Sequence, residues 1–213
     1  MPTRGALFDF DGTLADSFGA ITASVNFTRG HHGLAPLPEA EVREAVGLGL
    51  DQLMRELVPA ADPAQAVDVY RRHHETVFLS HTHLLPGVAD TLHVLTKRGH
   101  PLGVCSNKRV DFTTRLVAGL GLGATFRTVL GPEDVSDRPK PDPAMLLEGC
   151  RRLGVSPKDC VYVGDMAVDV HAGRAAGMAT WLVPGGAAGR EDPLAAGPDR
   201  VLRDFAEVAE LLG

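Results

Sequence analysis

A chain of 213 residues with 44% hydrophobic and 23% charged residues has an ordinary globular composition and room for one or two domains. Its net charge of −6 argues against a general nucleic-acid or membrane-surface binder, which would carry a basic patch. Aromatic residues at 5% are too few for a base-stacking platform.

The start of the chain has no basic segment followed by a long apolar run, so neither a signal peptide nor a membrane span is expected. Cys105, Cys150 and Cys160 are odd in number and lack metal-type spacing. Cys105 and Cys160 border apolar, strand-like runs and read as buried reduced thiols, which makes the expected location cytoplasmic.

The first informative stretch is residues 5–17, GALFDFDGTLADS. Ala6, Leu7, Phe8 and Phe10 predict a short buried strand. Asp9 falls where that strand should leave the sheet. Asp11 lies two residues on, so in an extended chain both carboxylates share a face. Two adjacent carboxylates repel each other and favour a bound cation. Gly12 permits a sharp turn and close approach of a ligand to the backbone. Taken alone, Asp-x-Asp-Gly is equally a strand followed by an Asx turn.

Residues 16–84 carry a helical pattern. Phe18, Ile21 and Val25 share a face, as do Val42 and Val46, then Leu50, Leu53, Met54 and Leu57, then Val67, Tyr70, Val77 and Phe78. Breaks fall at 30–38, 47–49 and 59–63. No strand-like alternation is evident, so the region predicts an all-α insertion. His31–His32, His73–His74 and the His81/His83 pair resemble metal ligands. Without Cys or paired acids at ligand spacing they read as exposed helix and linker histidines. Arg43 and Arg55 flank the turn at Gly47. They form either a solvated helix face or, with the turn's backbone, a contact to a substrate carboxylate.

From Leu85-Pro86-Gly87 onward, strands and helices alternate. A helix carrying Val88, Leu92 and Leu95 stops at Gly99. Strands are predicted at 102–105, 126–130, 160–163, 179–183 and 200–202. Helices are predicted at 110–120, 143–153, 168–176 and 206–212, with a Gly-rich loop at 185–189. Apolar, unalternating strands mean a parallel sheet covered on both faces. The expected fold is therefore α/β: a Rossmann-like core of residues 1–14 and 85–213, with a helical cap, residues 15–84, inserted after the first strand.

Ligands of an open parallel sheet bind beyond the carboxyl ends of its strands. Four such ends carry polar chemistry. Asp9 and Asp11 follow the first strand, and Ser106 and Asn107 follow the second. Lys140 lies after the third. Asp165, with Asp169 one turn later, follows the fourth. All-oxygen ligands suit Mg²⁺, and Ser106 and Asn107 open a helix where an anion can bind. A metal, an anion site and a further carboxylate together describe phosphoryl transfer.

These residues resemble the motifs of the haloacid dehalogenase superfamily: Asp9-Phe10-Asp11-Gly12-Thr13-Leu14, Ser106, Lys140-Pro141-Asp142-Pro143, and Gly164-Asp165-Met166-Ala167-Val168-Asp169. The helical insertion, with Val46-Gly47-Leu48-Gly49-Leu50, is similar to the small cap of the phosphoglycolate phosphatase-like branch. The resemblance implies that Asp9 is the nucleophile and Asp11 the general acid and base. It implies Mg²⁺ on the Asp9 carboxylate, the Asp11 carbonyl and Asp165. Asp169 would hold a metal-bound water or orient Lys140. Ser106, Asn107 and Lys140 would hold the phosphoryl group, with the Gly12 and Thr13 amides adding to the cradle. The dehalogenase branch keeps no aspartate where Asp11 stands. The mutases carry a cap histidine where Ala20-Ile21 stands. Met166 replaces the more usual Ser, Thr or Asn.

The implied activity is Mg²⁺-dependent hydrolysis of a small phosphorylated metabolite, 2-phosphoglycolate first, by a monomer or homodimer. Pyrophosphate, nucleoside monophosphates and sugar phosphates are the alternative substrates. A sugar-phosphate mutase and a phospho-accepting switch are the alternative roles.

Overall fold

The computed structural model describes residues 5–184, 189 and 191–213. Most of the expected glycine-rich loop at 185–189 lies outside them. Strand β1 (Gly5–Phe8) alternates with period two: Ala6 and Phe8 enter one hydrophobic core and Leu7 another, and all three are fully buried. A strand apolar on both faces needs cover on both, and the rest of the chain supplies it.

The chain leaves β1 through β2 (Ala15–Asp16) into four helices: α1 (Phe18–His31), α2 (Glu39–Ala45), α3 (Leu50–Leu57) and α4 (Pro63–Val77). It returns through β3 (His83–Leu84) and continues through α5 (Val88–Lys97), β4 (Leu102–Cys105), α6 (Val110–Gly119) and β5 (Thr128–Leu130). The remaining elements are α7 (Ala144–Leu153), β6 (Cys160–Gly164), α8 (Ala167–Ala175), β7 (Ala179–Leu182), β8 (Arg200–Val201) and α9 (Glu207–Leu212). The six-stranded sheet has the order β5-β4-β1-β6-β7-β8, and every pair in it is parallel. Phe8, Val104 and Val163 share a core with residues of α5, α6 and α9. Leu7, Cys105 and Tyr162 face residues of α7 and α8. The chain steps outward from β1 to β5, then crosses back to β6. That reversal opens a crevice at the carboxyl ends of the central strands.

Helices α1 to α4 share a core of their own, with Phe18, Val25, Val42, Met54 and Tyr70 at its centre. Helix α4 starts where Asp62 accepts hydrogen bonds from the Ala64 and Gln65 amides, both at 3.1 Å, with Pro63 in the first turn. One expectation fails here. No strand was expected between residues 16 and 84, yet β2 and β3 pair antiparallel, Ala15 opposite Leu84 and Asp16 opposite His83. Two residues per strand are too few to print a period-two pattern. The ribbon is produced by two linkers leaving and re-entering side by side.

Helix α8 lies very close to β7. A Cβ on Gly173 would stand 2.2 Å from Thr180 Cγ2. Thr180 cannot rotate away freely, because its hydroxyl donates to Asp199 Oδ2 at 3.0 Å. Helix propensity alone would make Gly173→Ala stabilising by about 1 kcal/mol. The overlap reverses the sign, and denaturant titration should show a net loss of about 1–3 kcal/mol.

Candidate active site

The Asp9 amide donates to the Val163 carbonyl at 2.9 Å, which fixes the exit of β1 against β6. The chain then folds into a tight turn. Leu14 and Ala15 donate to the Phe10 carbonyl at 2.9 and 3.0 Å, and Gly12, at φ +84°, donates to Ala15 at 2.8 Å. This turn commits two amides expected in the phosphate cradle. Gly12 bonds Ala15, and Thr13 faces the Phe10 carbonyl at 3.4 Å. The Thr13 hydroxyl donates instead to Asp165 Oδ1 at 2.7 Å.

Lys140 is 1% exposed, with its ammonium 2.9 Å from Asp9 Oδ1 and 2.7 Å from Asp169 Oδ1. It also donates to the Tyr162 hydroxyl at 2.9 Å, and that hydroxyl donates to the Cys105 carbonyl at 2.7 Å. Asp169 Oδ2 accepts from the Asp165 and Met166 amides at 3.1 and 3.0 Å. Both Asp169 oxygens are thus committed, so of its two expected roles the geometry fits the orientation of Lys140. Ligand oxygens of Asp9, Asp165 and Asp169 all lie within 4.8 Å of one another, a buried carboxylate cluster that could hold a metal.

The Asp9 carboxyl is raised to about 6, with burial pushing it up, Lys140 pulling it back and Asp169 adding to the rise. Asp169 and Asp9 hold Lys140 above its usual range against the opposing effect of burial. Asp9 Oδ1 meets Lys140 as an ion pair but has no aligned hydrogen bond. A buried carboxylate so left favours a further cation, and all-oxygen donors of this kind suit a hard one.

The cleft beside this centre is lined by Asp9, Asp11, Ser106 and Lys140 on the core side and by Gly47, Leu50, Tyr70 and His74 on the helical side. Asp11 accepts from the Ser17 hydroxyl and meets Lys108 Nζ at 3.3 and 3.4 Å. Asn107 does not turn its side chain to an anion. Its amide group donates to the Gly47 carbonyl at 2.7 Å and the Lys140 carbonyl at 3.0 Å, and its oxygen accepts from the Lys140 amide at 2.7 Å. It bridges the helical region to the lysine loop.

Of the expected cap contacts, only Gly47 reaches the cleft. Arg43 pairs with Asp16 at 3.0 Å and Glu39 at 2.8 Å and stacks 4.0 Å over Phe18. Arg55 is exposed on α3. His74 departs from its reading as an exposed histidine. It is 2% exposed, stacks on Tyr70, meets Phe112 edge-on and lies 3.1 Å from Ser24 Oγ. Burial, with Lys108 adding, lowers its pKa to about 3. The sequence reading missed Lys108, Tyr162 and His74 as site residues. Lys108 was visible as a cation two residues past Ser106, and Tyr162 as a hydroxyl inside the apolar run 160–163.

Residues 6–183 match the haloacid dehalogenase-like hydrolase family, and the chain belongs to it. It is 33% identical over 221 residues to the phosphoglycolate phosphatase of Chromobacterium violaceum, covering 98% of this chain and 96% of that protein. A crystal structure described as a predicted phosphoglycolate phosphatase from Haemophilus somnus superposes with a TM-score of 0.88 at 26% identity, covering 99% of this chain and 98% of that one. A haloacid dehalogenase family hydrolase from Deinococcus radiodurans, crystallised with phosphate and sodium bound, gives a TM-score of 0.75 at 26% identity, covering 97% and 93% of the two chains. Among the described residues, no helix is long and apolar enough to cross a membrane.

Two outcomes follow. Lys140→Met leaves Asp9 and Asp169 facing each other unpaired, and urea unfolding in EDTA should lose about 3–5 kcal/mol. His74 is neutral in the fold, with a pKa below the free value of 6.5. A depressed histidine contributes stability above the unfolded pKa and loses it as pH falls from about 6.5 toward about 3. The pH dependence of unfolding across that window should be shallower in His74→Gln than in the wild type.

Proposed function

We propose that the protein is a Mg²⁺-dependent phosphomonoester hydrolase that works through an aspartyl-phosphate, with 2-phosphoglycolate as its first candidate substrate. The observation that carries this reading is Asp9 at the carboxyl end of the central strand, facing a cleft with Ser106 beside it and buried Lys140 at 2.9 Å. The names of the relatives agree with it. A cleft of about 80 Å³ suits a small ester.

In this mechanism Ser106 and Lys140 hold the phosphoryl oxygens, and the Asp9 carboxylate attacks phosphorus in line with the leaving oxygen. As the bond to that oxygen breaks, Asp11 gives it a proton. Asp11 then takes a proton from the water that attacks the aspartyl-phosphate, which frees phosphate and regenerates Asp9. Asp9, Asp165 and the Asp11 carbonyl would hold Mg²⁺, which supplies positive charge against the phosphoryl oxygens. Asp169 keeps Lys140 pointed at Asp9. Residues 15–84 act as a lid on the core of residues 1–14 and 85–213. The lid excludes water and gives the leaving group its walls.

Phosphate release measured with 2-phosphoglycolate, pyrophosphate, nucleoside monophosphates and sugar phosphates tests the reading. The wild type should turn over with Mg²⁺, stop in EDTA and recover when Mg²⁺ is restored. Asp9→Asn should lose at least about 1,000-fold, because it removes the nucleophile. No turnover on any ester, or full activity in Asp9→Asn, would overturn it. The ranking of kcat/KM identifies the substrate.

A further inference from the structure

A phosphate ester with a charged leaving group needs a countercharge on the leaving-group side of the cleft. Arginines of the helical region do not line the cleft, and neutral His74 brings no charge to it. Among the described residues, the lining cations are Lys140, Arg109 and Lys108. Lys140, between Asp9 and Asp169, is already assigned to the phosphoryl oxygens. Arg109 is turned to Asp111 at 3.0 Å and Glu133 at 3.2 Å. That leaves Lys108.

Lys108 has the features of an exchangeable partner. Its side chain is only 9% exposed, so its charge is largely desolvated. Its contacts to Asp11 are 3.3 and 3.4 Å, long beside the 2.7–2.9 Å of a tight ammonium–carboxylate bond. Asp11 shares its Oδ1 with Ser17 as well. Lys108 therefore faces the cleft with a weakly held partner. Around it the cleft is closed by Ile21, Leu50, Leu53, Tyr70 and Phe112, a mostly apolar wall that strengthens any charge pair formed against it. The Lys108 amide approaches Ser106 Oγ at 3.4 Å, so this cation belongs to the same short loop as the expected phosphoryl ligand.

We propose that Lys108 is the specificity-determining residue of the site, pairing with a carboxylate on the leaving group of a small phosphomonoester. This rests on the phosphatase reading above. In the free protein Lys108 leans on Asp11. With substrate bound, the leaving-group carboxylate takes its place, and Asp11 is left to the leaving oxygen. Substrate selection by charge then lies on the core, two residues from Ser106, while the helical region supplies shape.

The test compares 2-phosphoglycolate with phenyl phosphate, whose leaving group carries no carboxylate, in wild type, Lys108→Met and Lys108→Arg. Lys108→Met should lower the ratio of kcat/KM for 2-phosphoglycolate over phenyl phosphate about 10- to 100-fold, the size of a lost charge-assisted hydrogen bond. The loss should appear mainly in KM for 2-phosphoglycolate. Lys108→Arg keeps the charge and should recover part of the ratio, and it serves as the folded comparison if Lys108→Met is unstable. Parallel losses on both substrates, a ratio that moves less than about threefold, or a larger fall in Arg43→Ala or Arg55→Ala would overturn the assignment and leave the phosphatase reading standing. A wild type inactive on every ester would overturn both.

Discussion

A fully buried ammonium held between two carboxylates organises this molecule. Lys140 lies 2.9 Å from Asp9 and 2.7 Å from Asp169, with the Tyr162 hydroxyl as a third partner. Such a charge is costly to desolvate, so the ammonium must find partners for its protons. The matching fixes the site. Asp169 is anchored by two amides at the start of α8. The Tyr162 hydroxyl in turn donates a hydrogen bond to the Cys105 carbonyl at the end of β4. The Lys140 backbone is clamped on both sides by the Asn107 side chain. The ends of β1, β4 and β6 and the loop after β5 are thereby tied together around one cation. The nucleophile candidate Asp9 cannot move without disturbing all of them.

The same network reaches the helical region. Asn107, which holds Lys140, also donates to the Gly47 carbonyl. Beneath that turn lies Met166, whose terminal carbon would be 2.7 Å from a Cβ on Gly47. Gly47 has φ +134°, so its conformation calls for glycine. Met166 packs against the core of α1 to α4. The departure from Ser, Thr or Asn at this position therefore has a physical reading. The side chain fills a gap under the helical region and leaves the carboxylate cluster beside it intact. On the far side of the cleft, His74 and Phe78 meet Phe112, and Arg115 stacks 4.4 Å over Phe78 and pairs with Glu75 at 2.7 Å.

What could be read from the sequence follows from which interactions are local. Ala6-Leu7-Phe8 and Cys160-Val161-Tyr162-Val163 are continuous apolar runs, so the parallel sheet was legible, and Asp9 and Asp165 were placed at strand ends by counting. Lys140 was legible only through its motif, since a lysine between prolines is usually a solvated loop residue. Side-chain partners were not legible where long-range geometry decides. Asn107 sits beside Ser106 in the chain, yet its amide turns to Gly47 and Lys140, 60 and 33 residues away. Arg43 flanks the right turn but is captured by Asp16, 27 residues back. His74 sits in an otherwise polar Arg-Arg-His-His run, and only the packing of α4 on α1 and α6 shows that it is buried.

The charge distribution of the cleft makes a division of labour that neither half of the chain shows alone. The core contributes the full charges Asp9, Asp11, Lys108, Arg109 and Lys140, while the helical region contributes Ile21, Leu50, Leu53, Tyr70 and a neutral His74. A wall of that kind adds no competing cation or anion. It lowers the local dielectric and so strengthens each pairing the core makes. It also displaces water that would otherwise solvate the reacting groups. The wall's side chains can therefore vary in shape without touching the pairing of Asp9 and Asp169 with Lys140, whose side-chain partners Asp9, Asp169 and Tyr162 all lie on the sheet side of the cleft.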